Sequence, residues 1–137
     1  MPFLRSGILL RHSKAQRQSR VTSLLRSWSE HRARILPNPS ARAQFVEYRR
    51  VAAAFDGRVS RYIDEVCAGG DWPPVEGDEV EARRQGLTKL PVETEEEAEE
   101  LDFYLASSFE IGEILDEARS FQEALAETRR QAPPPPP

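Results

Sequence analysis

Residues 45–66 read FVEYRRVAAAFDGRVSRYIDEV, and this stretch determines the fold class. Apolar residues recur in it at alternating spacings of three and four, at Phe45, Tyr48, Ala52, Phe55, Val59, Tyr62 and Val66. This spacing places their side chains on one face of an α-helix. We therefore predict a helix over residues 40–68, with Ser40 as its N-cap and Gly69-Gly70 at its end.

Helical patterns also precede and follow this stretch. An apolar stripe that stops before Pro37 predicts a helix over residues 14–36, because proline disfavours helical geometry in the residue before it. Thr94 followed by Glu97 fits a capping box, so we predict a further helix over residues 94–131.

Residues 70–92 carry no strong periodicity and predict a long connection, in which residues 76–85 could hold a short exposed helix. The proline run that ends the chain predicts a disordered polyproline tail over residues 132–137. No strand pattern competes with the helical ones. The predicted fold is therefore all-α, a small domain like a three-helix bundle with a long connection before the third helix.

Charge is distributed unevenly along the 137 residues, whose net charge of -4 averages two unlike parts. Residues 1–50 hold 11 Lys and Arg against two acids, whereas residues 51–137 hold 8 against 21. Residues 1–20 contain five basic residues, no acid and interleaved apolar residues, as is typical of mitochondrial presequences. We predict a targeting segment at residues 1–20, with an uncleaved basic arm as the alternative, and a single helical domain at residues 21–131.

Residue types that carry catalysis or bind metals are scarce. Cys67 is the single cysteine, so neither a disulfide framework nor a cysteine-based zinc site is expected. His12 and His31 are the only histidines, and the acidic residues 93–100 lack the turn glycine of a calcium loop. No apolar run is long enough to span a membrane. The sequence predicts no catalytic, cofactor-binding or metal-binding residue, and a protein that is not an enzyme.

Aromatic and arginine side chains are abundant on the predicted helices. Seventeen of the 19 basic residues are arginine. Aromatic residues and arginine are enriched among interface hot spots, and a core this small cannot bury every aromatic side chain. The composition therefore favours binding of a partner protein, with RNA contact as the alternative because arginine also binds phosphate.

A run of specific residues in segment 21–59 resembles a known family. The run comprises Leu24-Leu25, the aromatic Trp28, the string Tyr48-Arg49-Arg50-Val51-Ala52, and then Phe55 and Gly57. In these residues the segment resembles the small cytochrome b assembly factor family of respiratory complex III. The chain departs from the family at Ser29, where the family usually has proline, and the resemblance covers under a third of the chain.

The resemblance implies a non-enzymatic protein of the mitochondrial matrix, with a peripheral position at the inner membrane left open. It would pair with a larger assembly factor, meet nascent cytochrome b as it leaves the mitochondrial ribosome, and hold it until haem is inserted. Neither DNA nor a cofactor is implied. The residues that would lie at or behind the partner surface are Leu24, Trp28, Tyr48, Arg49, Arg50 and Phe55.

Two alternatives to this leading hypothesis remain. Leu24-Leu25-Arg26 and Ala54-Phe55 are similar to the LYR-motif family, although Leu25 stands where the motif has tyrosine. That resemblance implies a three-helix bundle that binds acylated acyl carrier protein and assists respiratory-complex or iron–sulfur assembly. The charge pattern allows a third hypothesis, a peripheral subunit of the mitochondrial ribosome.

Overall fold

The computed structural model describes residues 14–131, which contain four α-helices and no strand. The helices are α1 (Lys14–Arg32), α2 (Ala43–Cys67), α3 (Gly77–Thr88) and α4 (Glu95–Gln131). The prediction of an all-α chain is confirmed for this part of the chain. Residues 1–13 of the predicted targeting segment and the predicted tail at residues 132–137 lie outside the described residues.

Helix α3 corrects the predicted number of helices from three to four. It occupies the middle of residues 70–92, which we predicted as a connection, and it buries Val80 and Leu87. Acidic residues in its first turn suit the positive end of the helix dipole. Because its two buried residues stand seven positions apart and the rest are polar or small, the sequence shows too little periodicity to reveal a packed helix.

Helix α1 ends at Arg32, four residues before the predicted end. Ile35, which the sequence placed on the apolar stripe, is 84% exposed. Leu36 lies in the loop after the helix and packs against the cluster formed by Phe45, Leu87 and Tyr104. This packing and the effect of the following proline on Leu36 both favour an early end.

Ser40 is not the N-cap of α2. Arg42 has the extended backbone of the residue before the helix, and no side chain caps the helix there. The Ser40 hydroxyl instead donates a hydrogen bond to the Glu97 carboxylate (2.7 Å) and accepts one from the Arg42 N–H (3.2 Å). Ser40 therefore ties the α1–α2 loop to α4.

Helix α4 begins close to the predicted residue. Its Thr94 hydroxyl accepts a hydrogen bond from the Glu97 N–H (3.1 Å), as the capping box requires. The Glu97 carboxylate accepts from the Glu93 N–H (2.9 Å), one residue before the expected partner. From this start the helix runs for 37 residues, a length of about 55 Å.

The other three helices pack along α4. Helix α1 runs antiparallel to it, since Arg20 meets Glu117 and His31 meets Glu110. Helix α2 also contacts both α1 and α4, and α3 packs on α4. The main core contains 15 buried residues, and the smaller cluster of Phe45, Leu87 and Tyr104 lies where α2, α3 and α4 meet. Helices α2 and α3 are thereby held side by side on one face of the molecule.

Candidate functional site

An apolar groove of about 570 Å³ lies between α2 and α3, and we call it the α2–α3 groove. One wall is a face of α2 between Gln44 and Arg58, and the other is a face of α3 that continues to Leu90. Val51 lines the groove and is 53% exposed although it is apolar. The groove is therefore an exposed apolar concavity, which on a folded protein commonly marks a binding site.

Arg83 of α3 organises the floor of the α2–α3 groove. Its guanidinium donates hydrogen bonds to the Tyr48 hydroxyl (2.8 Å) and to Asp56 (3.0 Å). The same guanidinium lies over the rings of Tyr48 and Phe55, at 5.7 and 5.6 Å from their centroids. Burial raises the pKa of the Tyr48 hydroxyl, although the Arg83 hydrogen bond opposes this rise. Tyr48 is thus a neutral, hydrogen-bonded part of the floor.

A second cavity, of about 530 Å³, continues the groove beyond Arg58. Trp72 forms part of its lining, and the Arg61 guanidinium lies over the Trp72 ring at 5.9 Å from the centroid. The backbone carbonyl of Trp72 accepts a hydrogen bond from Gln122 of α4 (2.8 Å). This contact ties Trp72 to α4, and residues 72–75 line the cavity together with α2, so the concave surface extends along most of α2.

Two of the six predicted partner-binding residues line the α2–α3 groove. Tyr48 is half-buried. Phe55 is buried in the main core, and it also forms part of the groove lining. Both belong to the apolar stripe by which the sequence predicted α2. The structure therefore brings these two residues together at one surface.

Leu24 and Trp28 lie away from that surface, in the main core. The Trp28 ring stacks on His31 with centroids 5.3 Å apart, and its indole N–H donates to the Ser60 hydroxyl (2.8 Å). Both residues connect α1 to the remainder of the core. In this position Leu24 and Trp28 support α2 from inside the core and do not line the groove.

Arg49 and Arg50 point in different directions although they are adjacent. Arg49 donates a hydrogen bond of 2.6 Å to Glu100, which is fully buried, and also bonds the backbone of Ser40. Arg50 is exposed and pairs with Glu47 one turn earlier on α2. Arg49 is therefore committed to internal packing, whereas Arg50 remains accessible near the groove.

Neither Cys67 nor His31 lines the groove. Burial raises the pKa of the Cys67 thiol to about 11, and Asp64 adds to this rise. His31 is buried and lies 2.9 Å from Glu110, which also pairs with Arg34. Within residues 14–131 no group of three or more His, Cys, Asp or Glu side chains is placed to hold a metal ion.

The groove also contains residues that the sequence did not single out. Arg83, Ala82 and Gly86 of α3 are among them, because α3 was predicted as part of a connection. Pro73 and Pro74, which follow Trp72, give no sign in the sequence that this segment packs beside α2. Residues 76–85 did allow a short exposed helix, but their polar pattern did not reveal the buried face of α3.

No protein-family model, curated protein or solved structure matches the chain. Within residues 14–131, no helix combines the length and the apolar character that crossing a bilayer requires.

Proposed function

We propose that this protein is a non-enzymatic mitochondrial assembly factor that binds a partner protein and assists the biogenesis of respiratory complex III. The observation that carries the proposal is the α2–α3 groove, an exposed apolar cavity of about 570 Å³ whose floor contains Tyr48, Phe55 and Arg83. Aromatic and arginine side chains set in a concave surface are the residues that dominate binding energy at protein interfaces. The arrangement is suited to holding a protein segment.

The assignment to complex III rests on the resemblance of residues 21–59 to the cytochrome b assembly factor family. The same segment supplies the α2 wall of the groove, from Gln44 to Arg58. The residues of the resemblance and the proposed binding surface therefore overlap at Tyr48 and Phe55. On this proposal the partners are a larger assembly factor and nascent cytochrome b, met in the mitochondrial matrix.

The adjacent alanines Ala53 and Ala54 allow a matched test. Both are exposed on α2, but only Ala54 lines the groove. Tagged full-length protein is purified from mitochondria as the wild type, Ala54→Asp and Ala53→Asp. We expect a complex III assembly factor and cytochrome b to co-purify with the wild type and with Ala53→Asp. Recovery with Ala54→Asp should fall about tenfold, because it places a charge in the apolar groove.

Other partners would contradict the proposal in specific ways. Recovery of acyl carrier protein in place of the complex III proteins would favour a LYR-type adaptor. Stoichiometric, salt-resistant migration with a ribosomal subunit on a sucrose gradient would favour a peripheral ribosomal subunit. Absence of the tagged chain from purified mitochondria would exclude all three mitochondrial functions.

A further inference from the structure

The α2–α3 groove and the cavity beside Trp72 form one continuous channel along α2. The two cavities share Ala54, Arg58 and Glu79 as lining residues. From Gln44 to Arg61 the α2 backbone rises about 26 Å, at about 1.5 Å per residue. A single helix of about 18 residues has this length.

Two glycines line the channel at positions where the packing of residues 14–131 leaves room for a side chain. Gly57 and Gly86 lie inside helices and line it, and a Cβ atom built at either would meet no other atom within 4 Å. Glycine destabilises a helix interior relative to alanine. Gly112 of α4 differs, because a Cβ atom there would touch Val80. The open space over Gly57 and Gly86 is therefore available to the backbone of another molecule.

The charges of the channel are balanced except at one end. Arg50 neutralises Glu47, Arg58 neutralises Glu79, and Arg83 neutralises Asp56, each as an ion pair within 3.0 Å. Arg61 lies against Trp72 and has no carboxylate within 4.0 Å in residues 14–131. Among the side chains that line the two cavities, Arg61 is thus the one charged group outside an ion pair in residues 14–131.

The parts of the chain outside the described range do not complement Arg61. Residues 1–13 contain Arg5 and Arg11 and no acid, and residues 132–137 contain no charged residue. Arg61 is therefore available to a carboxylate of another molecule. An apolar concave surface of this length is suited to a helix laid in a groove, one of the recurring modes of peptide recognition.

We infer that the channel binds one amphipathic helix of a partner protein, with apolar side chains on Val51, Ala54 and Phe55 and a carboxylate on Arg61. This inference rests on the proposed partner-binding function and names the chemistry of the partner segment. The helix lies along α2, and its backbone passes closest over Gly57 and Gly86. Its apolar residues follow one another at spacings of three and four.

A displayed library of random peptides of about 18 residues, selected on the full-length protein, tests the inference. We expect enriched peptides that carry an amphipathic helical pattern and an acidic residue near one end. An alanine scan of an enriched peptide should reduce binding at helical spacing. Gly86→Leu should weaken binding about tenfold, because its side chain enters the channel. The control Gln85→Leu adds the same side chain outside the channel and should bind as the wild type does.

A charge exchange tests the role of Arg61 separately. Arg61→Glu should weaken binding of the enriched acidic peptides about tenfold, and replacement of the peptide carboxylate by lysine should restore it. Circular dichroism shows whether the variants remain folded. Arg61 is exposed, forms no ion pair within residues 14–131 and contacts only the Trp72 ring at 5.9 Å, so its replacement should shift the thermal transition by no more than a few degrees.

Several outcomes would overturn the inference. Enriched peptides with alternating rather than helical spacing, or binding that Gly86→Leu and Arg61→Glu leave unchanged, would place the binding surface elsewhere. A concentration-dependent dimer that Gly86→Leu disrupts would show that a second copy fills the channel. If peptides bind as expected but no complex III protein co-purifies from mitochondria, the inference stands and the proposed cellular function fails.

Discussion

At the scale of single residues, the buried carboxylate of Glu100 explains why Arg49 faces inward. It accepts hydrogen bonds from the Ser40 N–H (2.7 Å), from Arg49 (2.6 Å) and from the Tyr104 hydroxyl. A carboxylate removed from water is tolerated only when it is paired and hydrogen-bonded. Burial raises the pKa of Tyr104 to about 12, so its hydroxyl stays protonated and can donate to Glu100. These contacts join the α1–α2 loop, α2 and α4.

Arg49→Ala should destabilise the fold by about 2 to 3 kcal/mol, because it leaves Glu100 buried without its cation. The loss is smaller than for a wholly buried pair, since the Arg49 side chain is 30% exposed. Arg50→Ala is the matched control and should change stability little, because its ion pair with Glu47 is exposed. Urea denaturation measures both. Equal losses for the two variants would contradict this account.

Cys67 provides a pH-dependent prediction. Its pKa of about 11, against an ordinary value of about 9, leaves about one thiol in a thousand ionised at pH 8. Because only the thiolate reacts, labelling by an aromatic disulfide reagent should be about 100-fold slower in the native protein than in urea.

The same difference in pKa links Cys67 to stability. The folded state holds the thiol proton more tightly than the unfolded state. Its contribution to stability is therefore complete below about pH 9 and is lost as the pH rises towards 11. A Cys67→Ala variant should show a shallower loss of stability over this range. Rapid labelling of the native protein at pH 8 would contradict the burial of this thiol.

At the scale of elements, helix ends follow local chemistry only where the capping contacts are local. Thr94 and Glu97 act within one helical turn, and α4 begins where their spacing predicts. Ser40 has the right residue type for an N-cap, but Glu97 and Glu100 of α4 bind its hydroxyl and its N–H. Ser40 therefore does not cap α2, because its polar groups bond residues of α4 that are far away in the sequence.

Gly57 within α2 and Gly69 just after its end should respond oppositely to alanine. Gly57→Ala should stabilise the protein by about 0.5 to 1 kcal/mol, because the new Cβ meets nothing and alanine favours the helix. Gly69 ends the helix at a φ of 81°, so Gly69→Ala should destabilise it by about 1 kcal/mol. Urea denaturation checks both, and a change of the same sign at the two positions would contradict the assignment.

At the scale of the whole molecule, α3 is a packed part of the domain rather than a linker. Leu87 is fully buried against Phe45 and Tyr104, and Val80 joins the main core. Arg83 adds polar contacts to α2. The α2–α3 groove exists because α3 is held on α4 beside α2 without filling the space between them.

Leu87→Ala should therefore cost about 2 to 5 kcal/mol, as expected for a large buried residue cut back to alanine. Limited trypsin digestion provides a second measurement, because Arg83, Arg84 and Lys89 are potential cleavage sites in α3 and just after it. Native protein should resist cleavage there, and Leu87→Ala should accelerate it. Gln85→Ala, on the exposed face, serves as the control. Rapid cleavage of the wild type at these sites would indicate that α3 is not packed.

The candidate site was only partly predictable. Tyr48 and Phe55 were identified because they belong to a long apolar stripe and to the resemblance in residues 21–59. Arg83 was not, because its contacts with Tyr48 and Asp56 join residues 35 and 27 positions apart. Leu24 and Trp28 carry the same resemblance but face the core, since their direction depends on how α1 packs against its neighbours.

The sequence by itself determined the all-α class, the course of α2 and the start of α4. These depend on apolar spacing and capping within a few residues, where local backbone geometry is sufficient. Only the tertiary structure decided that α3 is buried on one side, that Arg49 turns inward to Glu100, and that α2 and α3 leave a groove between them. Those features depend on contacts between distant segments, whose burial and pairing energies outweigh local preference.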